Sequence, residues 1–520
     1  MDAAAVLRGG ELLEAIKRCF SPSNQTGGPT TVVAIRVNPA TRASLNLERI
    51  NSSQTAIALV STDWGLYNNQ IKVKIEDGTS IGKKLTTQLG QNYYSQDNVG
   101  RQVLQVRYKG SLSAATITIT NTNLVATLTG PITITVDFAT YNTIQKVADY
   151  LSSFQDVTAV VLGGFSDHPT LNALDGVSGQ DVKTAPYIVT AHLQACVDWF
   201  NSVGEGFVTA TRDPGATVVP KNIGFTYLAG GSDGTITNTD WSNAFTTLQL
   251  EDVQWVTPIS GSASIHAMAD AHVQFMSTVG RMERRAICGM ASGSSDAAAL
   301  SAAFALNSDR TSLMHIGPYD YDSSGALKLY PPYIAAAMAA AMFAGTNPGT
   351  PLTNKTMAVR GWERYLRNPT DTDTLINGGV MCVEKTGTGY KIVKSISTWL
   401  VNDNYNRVEQ STGAALDFTV RNIRDALDVL RGEKNNPQLL SRAVSIVDSK
   451  CRELARPEPT GPGVLAGDDD SPAYKNIRAT IEGDVLRVEL QASPVIPCNY
   501  ALLTVFAVPF TGSASAAVSL

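Results

Sequence analysis

The chain has 520 residues, of which 43% are hydrophobic and 17% charged, and a net charge of −5. Those totals describe a globular protein with room for three or so domains at ~150 residues each. Both charge signs are spread along the chain without the basic stripe of a nucleic-acid binder, and no apolar run reaches the ~20 residues of a membrane span.

A first helix is expected over 7–20, where Leu12, Leu13 and Ile16 share a face. The opening residues lack the charged-then-apolar form of a signal peptide, so the expected place of work is the cytoplasm of synthesis. From 31 to 138 the period becomes two. Ile71, Val73 and Ile75 alternate with Lys72, Lys74 and Glu76, and Ile132, Ile134 and Val136 alternate with threonines. Alternation of this kind gives strands with one buried and one wet face. An inserted β-sandwich-like domain over 31–138 is expected.

From 141 the pattern changes again. Helical stretches at 144–154, 191–203, 265–279 and 296–306 alternate with apolar runs at 157–162, 207–210, 253–256, 286–290 and 312–316. That order predicts an α/β core with a largely parallel sheet, built from 1–30 and 139–350. YPPYIAAAMAAAMFAG closes it. Pro331 and Pro332 suit a helix start, no charge occurs from Tyr333 to Ala344, and Ile334, Met338 and Met342 form one ridge among alanines. At ~1.5 Å per residue such a helix is too short to span a bilayer, so its uniformly apolar surface belongs inside a core.

An α+β domain is expected over 351–456 and 473–510. It holds an apolar run at 380–383, strands at 390–397 and 399–401, and a helix pair at 418–431 and 437–454. PEPTGPGVLAGDDDSP at 457–472 reads as a slack linker. A hairpin over 478–490 turns on Gly483-Asp484, a further strand covers 499–506, and 511–520 reads as a flexible tail.

Several motifs are tested against chemistry. GTSIGKK at 78–84 looks like a phosphate loop, but the glycine spacing is short and Lys84 stands where a magnesium-binding hydroxyl is needed. A hairpin turn accounts for it better. LAGGSDG at 228–234 lacks the dinucleotide glycine order, and Asp240 after it can cap a helix. Asp371-Thr372-Asp373 and 468–470 lack calcium-loop spacing. The five histidines, at 168, 192, 266, 272 and 315, come with no GxSxG elbow, and Ser292, Ser294 and Ser295 suit a helix N-cap. His266 and His272 lean to opposite sides of one helix, which makes them poor metal partners. Six cysteines at 19, 196, 288, 382, 451 and 498 form no close pair and read as buried thiols. No catalytic, cofactor or metal residue is assigned. A hydrolase assembled on the α/β core is the alternative class. On the helix pair, Arg421, Arg424, Arg431 and Lys434 form either a solvated surface or a docking face for an acidic partner.

The chain resembles the sheath proteins of contractile phage tails and related injection machines. The matching pieces are the helix at 331–345, PLTNK at 351–355, GVMCVEKTGTGYKIVKSISTWL at 379–400, the LAGGSDG stretch, LRVELQASPVIPCNYALLTVFAVP at 486–509 and the opening stretch 7–36. The resemblance implies a non-enzymatic subunit, its core subtilisin-like without protease function. Such subunits stack as helical rings around an inner tube, extended and metastable, and contract to drive the tube through a host envelope for genome ejection. It implies that Val485, Leu486, Arg487, Val488, Leu502, Leu503 and Val505 belong to strands lent between subunits, so that removing everything after Arg478 leaves a folded, non-assembling monomer. It also turns Arg421, Arg424, Arg431 and Lys434 towards the tube. The implied partners are further copies of the chain, the inner tail tube protein, and baseplate and tail terminator proteins, with no nucleic acid, membrane insertion or cofactor. The implied location is the virion tail, after assembly in the host cytoplasm. A bacteriocin or secretion-system sheath is the close variant. Only six residues precede Leu7, which reads as a short or trimmed N-terminal arm, and a trimmed chain is expected to stay monomeric.

Overall fold

A computed structural model describes residues 3, 7, 10–128, 132–202, 206–322, 325–500, 503–507 and 512. Two compact units divide the chain: Asn38–Ile236, and Met1–Val37 together with Thr237–Leu520.

Asn38–Ile236 is built from antiparallel sheets. One orders β1 (Ser44–Glu48), β2 (Thr55–Ser61) and β13 (Val208–Arg212). A second orders β14 (Ile223–Tyr227), β3 (Lys72–Asp77), β4 (Lys83–Leu89) and β5 (Asn92–Val99). In a third, β6 (Gln102–Tyr108) lies between β10 (Val157–Val161) and β12 (Tyr187–Thr190). The fourth orders β11 (Val177–Asp181), β7 (Ala115–Ile119), β8 (Asn123–Leu128) and β9 (Thr133–Asp137). Helices α2 (Ile144–Ser152) and α3 (His192–Ser202) pack their apolar faces into two separate cores of this unit.

The period-two reading therefore finds the right kind of structure but closes it too early. The runs at 157–162 and 207–210, expected in a parallel sheet, are antiparallel partners of β6 and β2. A short apolar strand reads the same in either sheet type, and only its partner decides the class. The unit thus runs to Ile236 rather than 138. The phosphate-loop lookalike is the β3–β4 hairpin turn, in which the Gly78 N–H donates to the Gly82 carbonyl. Its Lys83 is buried, 2.8 Å from Asp77 Oδ1 and 2.8 Å from Asn222 Oδ1.

In the second unit, α1 (Glu11–Cys19) packs on the late helix α7 (Pro332–Ala344). Helix α4 (Asn238–Leu248) starts at Thr237, whose side chain accepts from Asp240 N; Asp240 returns the bond as third residue of a capping box and is not itself the cap. A parallel layer follows, of β15 (Trp255–Val256), β16 (Arg285–Gly289) and β17 (Thr311–Met314), extended by a parallel bridge from Leu313 to Val380. Helices α5 (Ala263–Thr278) and α6 (Asp296–Leu306) are its connections. Ser295 caps α6, accepting from Ala298 N.

Helix α7 lies against this layer with Pro332 and Ile334–Phe343 buried. A Cβ on Gly289 would lie 2.2 Å from the Tyr333 backbone, so glycine is what allows strand and helix to meet. At the other end the ring of Phe343 stacks on Trp255 at 4.3 Å. Two small antiparallel sheets adjoin the layer: β18 (Pro318–Tyr321) between β19 (Leu327–Leu329) and β21 (Gly361–Trp362), and β23 (Gly389–Ile392) between β20 (Thr356–Met357) and β22 (Val383–Thr386). Residues 399–401, expected as a strand, form none. The region after 350 is not a separate unit, because Leu352, Met357, Val380 and Ile392 share one core with α7. The tail expected at 511–520 lies outside the described residues apart from Gly512, which is exposed and has no regular structure.

Candidate assembly surface

The helix pair is α8 (Gln410–Leu427) and α9 (Pro437–Leu454). Asn436 caps α9 by accepting from Leu439 N, and Pro437 sits at its first turn, where a missing N–H costs nothing. Leu439, Ala443, Val447, Cys451 and Leu454 make its buried ridge. Onto this ridge folds a two-stranded sheet, β24 (Tyr474–Glu482) and β25 (Val485–Ala492), joined through Gly483-Asp484 with Gly483 at φ 64°. Burial alternates along β25: Leu486, Val488, Leu490 and Ala492 pack inward, while Val485, Arg487, Glu489 and Gln491 face out. Among the described residues no third strand joins either outer edge.

The stretch at 457–472 is not slack. Val464 and Leu465 are buried in the same core as Val447 and Cys451, and Leu465 bridges to Pro494. Val495 N donates to the Val464 carbonyl at 3.0 Å. Two adjacent apolar residues inside the Pro/Gly-rich run are the signal for this anchor. The chain is then held once more. The Asn499 amide donates to Glu409 Oε1 at 2.6 Å, and its oxygen accepts from Thr353 Oγ1 at 2.7 Å. Glu409 is fully buried with Lys394 Nζ at 3.4 Å. Burial raises its carboxyl, against the pull of Lys394 and Asn499. No sequence pattern marks these three side chains. Of the strand expected at 499–506, residues 501–502 lie outside the described residues, 499–500 and 503–506 have no regular structure, and Leu503, Val505 and Phe506 are 87%, 77% and 84% exposed.

No family model matches the chain. A tail sheath protein of Bacillus phage SP01 is 29% identical over 531 residues, an alignment covering 98% of this chain and 88% of the relative. A tail sheath protein of Staphylococcus phage Twort is 22% identical over 538 residues, covering 95% and 87%. The chain is a homologue of phage tail sheath proteins. A sheath tail protein from Desulfitobacterium hafniense shares the fold at a TM-score of 0.54 and 11% identity, covering 96% of this chain and 91% of that one.

For a sheath homologue the candidate residues fall into distinct environments. Val485, Leu486, Arg487 and Val488 lie on the open-edged strand β25. Leu503 and Val505 lie on the exposed segment, and Leu502 is outside the described residues. Arg421 and Arg424 do not form a free face. Arg424 holds the buried carboxylate of Glu283 at 2.5 and 2.9 Å, and Arg421 reaches Asp252 Oδ1 and the Glu283 carbonyl at 2.7 Å each. They fasten α8 to the loops before β15 and β16. Arg431 is exposed and pairs with Asp428 at 2.9 Å, and Lys434 is exposed.

Three of the histidines weighed for chemistry lie against neighbouring polar groups. His266 Nε2 lies 2.9 Å from the Ser260 carbonyl, and His272 Nε2 lies 3.1 Å from Arg284 Nη1. His315 Nε2 meets Asp296 Oδ1 at 2.7 Å beside Arg364. No group of three or more metal-binding side chains occurs among the described residues. Cys196, Cys288, Cys382 and Cys451 are buried, Cys19 is half-buried, and Cys498, expected inside, is exposed.

Proposed function

We propose that this chain is a structural subunit of the contractile tail sheath of a phage. In this reading it polymerises as helical rings around the inner tail tube in a metastable extended state. Contraction then drives the tube through the host envelope, and the parallel layer corresponds to the family's subtilisin-like, non-catalytic core. The observation that carries the reading is a half-finished sheet next to an exposed apolar segment, in a chain whose sheath homology spans 98% of its length. A strand added to an open edge gains a ladder of backbone hydrogen bonds and buries alternate side chains. The segment from Leu503 is the donor and the edges of β24 and β25 are the acceptors, with Asn499 fixing where the free arm begins. The energy for contraction comes from exchanging contacts between subunits. The remaining partners are the tube, baseplate and tail terminator proteins. Arg431 and Lys434 stay candidates for the tube side.

Truncation after Tyr500 tests the arm. It keeps the Asn499 clamp and removes the exposed segment. Under conditions in which the full chain forms tubes by electron microscopy, the truncated one is expected to remain a monomer with an unchanged unfolding midpoint. Tubes from the truncated chain would remove this segment as the donor. A cut after Arg478 is the wrong test, because it strips Leu486, Val488 and Leu490 from the core around α9.

A further inference from the structure

The unit Asn38–Ile236 carries a feature that the proposed strand exchange does not use. In its four-stranded sheet β14-β3-β4-β5, one face is closed: Val73, Ile75, Leu85 and Leu89 are buried in a common core. The other face is wet, and the pairing registers align its residues in rows. Tyr227 pairs with Lys72, Lys72 with Gln88, and Gln88 with Tyr93. A single row therefore reads Tyr-Lys-Gln-Tyr across all four strands. In the next row Lys74 pairs with Thr86 and Thr86 with Ser95, but Thr86 is buried, its hydroxyl 2.8 Å from that of Ser95, so only Lys74, with Phe225 beside it, and Ser95 reach solvent there.

The rings are out in solvent: Tyr93 and Tyr227 are each 56% exposed and Phe225 is 44% exposed. Lys72 Nζ lies 4.8 Å from the centre of the Phe225 ring and 5.9 Å from that of Tyr227. Lys84 lies opposite Glu76, which pairs with Lys74 at 2.8 Å. Asp97, at the far end of β5, is bonded to Thr79. Lys72 and Lys84 make no ion pair among the described residues, so the face has a positive surplus in a chain of net charge −5.

We propose that this sheet face binds an anionic polysaccharide strand. Three strand spacings of ~4.8 Å place the two terminal tyrosines about 14 Å apart, room for a short run of pyranose rings. The apolar faces of sugar rings stack on Tyr227, Phe225 and Tyr93, as amphipathic aromatic side chains allow. Gln88, whose amide nitrogen donates to the Gly90 carbonyl at 3.0 Å, keeps its amide oxygen and second N–H for sugar hydroxyls. Lys72 and Lys84 meet the carboxylates. A single-stranded nucleic acid fits less well. It stacks successive bases along a basic groove, whereas here the terminal rings are separated by a lysine and a glutamine on an open sheet. The proposal stands independently of the sheath reading.

The test uses the full chain and an oligogalacturonate probe, read by calorimetry, with a neutral cello-oligosaccharide and oligo(dT) as the other arms. Oligogalacturonate is expected to bind, more weakly as salt rises, and more tightly than either comparator. The double variant Tyr93→Ala, Tyr227→Ala and the single variant Lys72→Gln are each expected to weaken binding at least ~10-fold with an unchanged unfolding midpoint, consistent with one lost contact class. Absent binding by the unmodified chain, equal binding by folded variants, or preference for oligo(dT) would overturn it. So would loss of self-association in the Tyr93/Tyr227 variant without loss of glycan binding, which would make the face a contact between copies.

Discussion

Helix α7 and strand β25 are both apolar by sequence, yet they are finished to different degrees. Around α7 every side is covered: β16 and β17 on one flank, α1 on another, with Gly289 omitting a side chain so that the helix can approach. Around β25 one face is packed on α9 and one edge is paired with β24, while the other edge and the outward face are open. A region with no open groups has one low-energy arrangement. A region with an unpaired ladder has a second available as soon as another strand arrives. The difference separates the part of the molecule that must stay fixed from the part able to accept a neighbour.

The largest expected effect comes from breaking the closed region. Gly289→Val drives a branched side chain into the Tyr333 backbone and should cost about 3 kcal/mol or more, measured as a fall in the urea midpoint. A valine variant as stable as the parent would mean that α7 is less tightly seated than described. Charge sharpens the comparison next. Arg424→Glu sets a carboxylate against the buried Glu283 and should cost about 2 kcal/mol, less than breaking a fully buried pair because Arg424 is itself 36% exposed and Arg421 lies 3.7 Å from the same carboxylate. Arg431→Glu together with Lys434→Glu, on the exposed side, should change stability by less than ~0.5 kcal/mol and act only on co-assembly with the tube.

The smallest effect is a slope. Burial lowers His272, with Arg284 adding to the shift, and also lowers His315, in both cases to about 4 from 6.5. Both are therefore neutral in the folded chain while the unfolded chain takes up protons below 6.5. Their contribution is complete above that pH and is lost as pH falls towards 4. His272→Gln, which keeps an acceptor for Arg284, should flatten the fall in the urea midpoint between pH 6.5 and 4. An identical slope in the variant would show that other groups govern it.

Much of this is legible in the residues. The uncharged run from Tyr333 to Ala344 could only be an interior helix, and the alternation at 71–76 could only be a strand with one wet face, because those periods are properties of the backbone itself. The turn at Gly483-Asp484 and the order of the sheath-like stretches are equally local. What has to wait for the tertiary structure is partnership. The strands at 157–161 and 208–212 carry nothing that says which strand they pair with, so alternation alone closes the β unit at 138, and it ends at Ile236 only in three dimensions. Arg421 and Arg424 look like free cations until Glu283 and Asp252 arrive from far along the chain. Glu409, Asn499 and Thr353 meet only because the fold brings three distant segments together. A one-dimensional pattern specifies which face of an element is apolar; the identity of what covers that face is a non-local fact, and only packing decides it.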